Sequence, residues 1–80
     1  MRAHVFITPK KGILDPQGKA VEHSLHALGF VEAHDVRLGK YVEMSVDAVG
    51  REQAQQRVDE MCRKLLANGV IEDYRFELDE

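Results

Sequence analysis

The chain predicts an α+β fold in the order β-α-β-β-α-β, a four-stranded antiparallel sheet with two helices on one face. Three observations carry that reading. Apolar and polar residues alternate with a period of two near both ends of the chain, two intervening stretches repeat at helical spacing, and glycine or proline stands at every junction.

Arg2 to Thr8 is the first strand: Ala3, Val5 and Ile7 point one way, His4, Phe6 and Thr8 the other. Pro9 ends it, having no N–H to donate to a ladder. Asp15-Pro16 starts a helix, with Asp15 placed to accept from the free amides of the first turn and Pro16 at the first helical position. Val21, Ser24, Leu25 and Leu28 share one face of it, and Gly29 supplies the left-handed cap. Phe30–Leu38 and Tyr41–Val46 read as two strands joined by Gly39-Lys40, a two-residue hairpin of the type that puts glycine first. In the second of these, Val42, Met44 and Val46 face the core, and Tyr41, Glu43 and Ser45 face away.

Arg51 to Asn68 is the longer helix. Ala54, Val58, Met61 and Leu65 recur at spacings of four, three and four, and Cys62 and Leu66 widen the stripe. Gly69 stops it. Tyr74 to Leu78 closes the chain as a strand, with Tyr74, Phe76 and Leu78 on one side. The order is that of the split-βαβ, ferredoxin-like pattern, in which the second sheet face stays open unless a partner covers it.

Eighty residues allow one domain, residues 1–80. A chain this short buries only about 60–65% of its unfolded surface, so oligomerisation is an expected source of stability, and a complete enzyme site is hard to build. Eleven Lys plus Arg against fourteen Asp plus Glu give a net charge of −3. That balance opposes nucleic-acid binding through backbone phosphates. Phe6 and Tyr41 could stack on bases, but Glu43 and Glu77 share their face. No apolar run is long enough for a membrane span, and no signal-type leader is visible. A single cysteine, Cys62, fits a reduced, cytoplasmic setting.

Residue chemistry offers no reaction. His23 and His26, three apart on the first helix, lack a third ligand and read as a solvated face. His4 and His34 read as surface or sheet-face residues. Cys62 lies on an apolar stripe, where a thiol behaves as a small hydrophobe. Glu72-Asp73 has no acid–base partner and falls at an exposed turn. Lys10-Lys11-Gly12 lacks the ending of a phosphate loop and reads as a basic loop that can meet an acidic partner. Capping accounts for Asp15 and Pro16. It does not account for Gly18, which costs a helix about 1 kcal/mol relative to alanine and implies close approach by another chain or another backbone.

Gly12-Ile13-Leu14-Asp15-Pro16-Gln17-Gly18, then Ala20-Val21, Leu28-Gly29-Phe30, Val36-Arg37-Leu38-Gly39-Lys40, Met61 to Asn68 and Val70-Ile71-Glu72-Asp73-Tyr74 together resemble one family. It is the PurS family, the small subunit of phosphoribosylformylglycinamidine synthase. The likeness runs from about Val5 to Phe76. Where the family commonly has proline before the valine of the last motif, this chain has Gly69. The resemblance implies a non-catalytic subunit in de novo purine synthesis, joining a glutaminase subunit to a large synthetase subunit and supporting ammonia transfer. It implies no catalytic, cofactor or metal residue in this chain, and ATP with magnesium bound by the synthetase subunit. The candidate subunit contacts are Lys10, Lys11, Gly12, Asp15, Gln17, Gly18 and Arg37. The candidate self-association face holds Phe6 and Tyr41, with a homodimer or tetramer as the expected assembly. The alternative is a dimeric ferredoxin-like regulatory module for a small ligand, which calorimetry against amino acids and nucleotides would separate from the first reading.

Overall fold

A computed structural model describes residues 1–79. The elements are β1 (Arg2–Pro9), α1 (Pro16–Ala27), β2 (Lys40–Ser45), α2 (Arg51–Met61), a π-helical turn (Cys62–Leu66) and β3 (Glu72–Asp79). Among the described residues the sheet has three strands, not four, in the order β2-β1-β3. Both pairings are antiparallel; Val5 sits between Val42 and Phe76, and Phe6 between Tyr41 and Arg75. The odd-numbered side chains of β1 supply the core: Ala3, Val5 and Ile7 are buried against Ala54, Val58 and Cys62 of the second helix, with Val46, Ala67 and Leu78.

The missing strand is Phe30–Leu38, and with it goes the Gly39-Lys40 hairpin. The amides that a ladder would have used are taken by side chains of the first helix and its cap. Leu38 N donates to Asp15 Oδ2 at 2.9 Å, and Val36 N donates to Glu22 Oε1 at 3.2 Å. His26 Nε2 donates to the Ala33 carbonyl at 2.7 Å, and Asp35 turns left-handed at φ 53°, which a strand does not accommodate. Residues 30–38 are thereby folded onto α1. Gly39 serves a different purpose from a turn: it passes directly over the backbone of Ile7, whose carbonyl a Cβ would strike.

The expectation of two helices on one face is also corrected. α2 packs on β3, while α1 has no comparable packing against any strand. Its intended core face stays open, with Val21 38% and Leu28 74% exposed. The molecule is accordingly drawn out to 50 × 26 × 14 Å. Its radius of gyration is 15.8 Å, against about 12 Å for a compact chain of this length. α1 and the segment that returns along it form an arm. The end of α1 is well made: Gly29 N and Phe30 N donate back to the carbonyls of His26 and Leu25, the paired bonds of a Schellman cap.

α2 starts at Gly50, where Gln53 reaches back to accept from the Val49 amide at 2.7 Å. The helix does not run unbroken to Asn68. At Cys62 it widens into the π turn, closed by an Ala67 N to Cys62 O bond of 2.9 Å. The extra residue per turn rotates the side chains within it off the α-helical stripe. Leu65, a stripe residue by spacing, is 82% exposed, and Leu66 packs against the core in its place.

Candidate functional site

Two surfaces hold the residues that the sequence singles out: the foot of the α1 arm and the open face of the sheet.

At the foot of the arm, Asp15 caps α1 through Oδ1, which accepts from Gly18 N at 3.0 Å, while Oδ2 takes the Leu38 amide. One carboxylate thus ties the start of the arm to its end. These two amides, Gly18 first, hold its carboxyl below the ordinary range, and Arg37 adds to the effect. Glu22 is likewise lowered, first by its bond from the Val36 amide. The close approach implied by Gly18 is made within the same chain. A Cβ there would meet the Val36 carbonyl and the Asp15 carboxylate, and Gly18 is buried. Gln17, Lys11, Gly12 and Arg37 lie exposed around it. Lys10 is engaged: its ammonium is 2.8 Å from Asp73 Oδ1, and its amide donates to the Ile71 carbonyl. Together these segments border a cleft of about 650 Å³ that also receives Lys19 and Asp35.

On the open sheet face, Phe6 and Tyr41 are cross-strand neighbours with ring centroids 5.0 Å apart. The Arg75 guanidinium lies 4.0 Å above the Phe6 ring. Tyr41 donates to Glu43 Oε1 at 2.8 Å, which keeps the Glu43 carboxyl below its usual range. Partial desolvation and that same bond raise the Tyr41 phenol. His4 Nε2 donates to Asp79 Oδ2 at 2.8 Å, and its Nδ1 is 2.7 Å from the Tyr41 oxygen. Arg2 adds a bond to Glu43 at 2.9 Å. The face is an aromatic pair inside a closed net of charges. Glu43 and Glu77 flank His4 in register.

The remaining candidates stand apart from both surfaces. Cys62 is fully buried, and burial pushes its thiol up, followed by the nearby Asp59 carboxylate. That is the reverse of what an attacking thiolate needs. His26 neighbours His34 edge-on at 6.2 Å, not His23. Among the described residues no group of three or more His, Cys, Asp or Glu side chains is placed to hold a metal ion. Among the described residues no helix is long and apolar enough to cross a membrane. Two arrangements escaped the sequence reading. Glu22 pins residues 30–38, and Tyr74 donates to Asp59 Oδ1 at 2.5 Å, tying β3 to α2. The spacing of fifteen residues between Asp59 and Tyr74 leaves no periodic signature.

A family model described as PurS: Phosphoribosylformylglycinamidine (FGAM) synthase matches residues 2–80. The phosphoribosylformylglycinamidine synthase subunit PurS of Bacillus subtilis (strain 168) is 48% identical over 79 residues, 99% of this chain and 93% of that subunit. The crystal structure of B. subtilis PurS superposes with a TM-score of 0.87, covering 99% of this chain and 98% of that one. A chain of the PurLQS structure from Thermotoga maritima, 28% identical, also superposes at 0.87, over 95% of this chain and 93% of its own. With the match spanning nearly every residue in sequence and in fold, the chain belongs to the PurS family, that of the small subunit of FGAM synthase.

Proposed function

We propose that this chain is a non-catalytic linking subunit of a glutamine- and ATP-dependent FGAM synthase, holding a glutaminase subunit against a large synthetase subunit so that ammonia passes between them. The observation that carries the reading is the near full-length likeness to a chain of the PurLQS assembly. The shape supports it. A 50 Å long molecule with a side arm whose Leu28, Phe30 and Val31 are more than half exposed offers apolar surface on several sides. The chemistry supports it too, since the only thiol is buried and raised and the Asp15 and Glu22 carboxylates are occupied with backbone amides.

In this reading the work is mechanical. Ammonia released by glutamine hydrolysis has to cross a subunit junction before it meets bulk water, and a loose junction wastes glutamine. ATP and magnesium belong to the synthetase subunit, and the complex works in the cytoplasm. The chain itself assembles as a homodimer or tetramer, using the apolar side of α1 or the Phe6–Tyr41 face.

The test mixes the three purified subunits and measures amidine formation, first with glutamine and then with an ammonium salt. Omitting this chain should abolish the glutamine-driven reaction and spare part of the ammonia-driven one. Full glutamine-driven turnover without it refutes the linking role.

A further inference from the structure

We propose that His4 is a proton-operated latch across the open face of the sheet: with a hydrogen on each ring nitrogen it ties Asp79 of β3 to Tyr41 of β2, and giving one up releases one of the two ties on the Tyr41 phenol. The inference rests on the chain's own geometry and holds whether or not the linking role does.

Three contacts run in series across the face. His4 Nε2 is 2.8 Å from Asp79 Oδ2, His4 Nδ1 is 2.7 Å from the Tyr41 oxygen, and that oxygen is 2.8 Å from Glu43 Oε1. Each needs one hydrogen between its two atoms. Ionised carboxylates only accept, so the hydrogens come from the phenol and the imidazole. Tyr41 supplies one and a neutral imidazole supplies one more, which leaves one contact with none; an imidazolium fills it. The Tyr41 hydrogen is committed to Glu43. That bond is the first cause of the lowered Glu43 carboxyl and, after partial desolvation, of the raised Tyr41 phenol. Nδ1 of His4 therefore has to donate, as Nε2 does to Asp79.

Glu43 is not free to swing aside. Its other oxygen is 2.9 Å from the Arg2 guanidinium, which also reaches Ser45 Oγ at 3.1 Å. The His4 ring is confined too, with its side chain 22% exposed and its plane 11° from that of Tyr41. The charged groups around it come from all three strands: Arg2 of β1, Glu43 of β2, and Arg75, Glu77 and Asp79 of β3, with Glu43 and Glu77 opposite His4 in register. Asp73, farther along β3, is paired with Lys10. Among the described residues three carboxylates thus meet two guanidiniums around His4, and an imidazolium evens that balance.

Histidine ordinarily changes charge between about pH 5 and about pH 8. Below that window the series is complete, and as pH rises through it one hydrogen is lost. Tyr41 then either keeps Glu43 and faces a bare Nδ1, or turns its hydrogen to Nδ1 and leaves two oxygens 2.8 Å apart with nothing between them. Either way one tie is lost from a residue that is 51% exposed and packs beside Phe6. The face presents a fixed phenol below the window and a mobile one above it.

The experiment follows the ring nitrogens of His4 by nuclear magnetic resonance in the full chain, with isotope-labelled histidine, across that window. His4→Gln identifies its signals among the four histidines. In the wild type both nitrogens should carry hydrogen at the acid end, and the Tyr41 ring signals should move with the same midpoint as His4. Tyr41→Phe removes the acceptor for Nδ1 and keeps every carboxylate, so His4 should give up its proton about three- to tenfold more readily. Glu43→Gln offers Tyr41 a donor and frees its hydrogen for Nδ1, so release should be easier there as well, with Tyr41 still against His4. An unchanged His4 midpoint in Tyr41→Phe overturns the latch whatever Glu43→Gln does, because it leaves a histidine that feels charge alone. Tyr41 signals blind to the His4 titration overturn it too.

Discussion

Asp15 does three tasks with two oxygens: it caps α1, fixes the return of the arm at Leu38, and stands beside Arg37. Asp15→Ala removes both acceptors and keeps the helix start that Pro16 presets. The Leu38 amide should then exchange with solvent at least about tenfold faster, read by hydrogen exchange, while β1 amides hold their protection. The same tie gives the arm a pH dependence. The Asp15 and Glu22 carboxyls are lowered in the folded chain, so their contribution is fully present above the ordinary carboxylate range. It is lost as pH falls through their depressed folded values. Amides of Val36 and Leu38 should therefore lose protection in acid before the sheet melts, and simultaneous loss everywhere would contradict this. Cys62 teaches the opposite lesson, that a chemically versatile residue can be mere packing. Cys62→Ala should cost about 1 kcal/mol in chemical denaturation and leave turnover of the assembled complex unchanged.

Among the elements, β1, β2 and β3 were legible because their alternation is local. Val5, Val42 and Phe76 each declare a face from neighbours two residues away. Residues 30–38 misled for the same reason. Phe30, Val31, Val36 and Leu38 have the composition of a strand, but their fate is decided by carboxylates fourteen and twenty-three residues earlier, which no window along the chain contains. The foot of the arm was legible in part. Asp15 and Gly18 announced a special turn; that Gly18 answers to Val36 of its own chain, and that Lys19 and Asp35 line the same cleft, depended on that hidden fold-back. The π turn was hidden as well, because the sequence stripe continues through it at α spacing. Its effect is measurable. Leu66→Ala should cost about 2 kcal/mol, and Leu65→Ala under about 0.5 kcal/mol, the reverse of what the helical pattern ranks. Equal losses would mean that the helix runs on without the widened turn.

At the scale of the molecule, the arm leaves the protein more apolar outside than its size can carry. Leu28, Phe30 and Val31 on the arm join Tyr41 on the sheet as exposed apolar surface. Light scattering at tens of micromolar, about the scale of modest affinities, should find at least a dimer. Phe6→Glu should weaken it if the sheet face is the contact, and Leu28→Glu if the arm is. A wild-type monomer under those conditions would exclude self-association through either. The strand order has a consequence of another kind. With β1 in the middle, β2 and β3 each leave a row of backbone donors and acceptors along a rim of the sheet. The β3 rim is fenced by Glu72, Asp73, Arg75, Glu77 and Asp79, whereas β2 has only Lys40 and Glu43 for the same task. A foreign strand is turned away from one rim and admitted at the other. Produced in excess of its partners, the chain is exposed to edge-to-edge aggregation through β2, and its cell has reason to make it in step with the subunits that bind it.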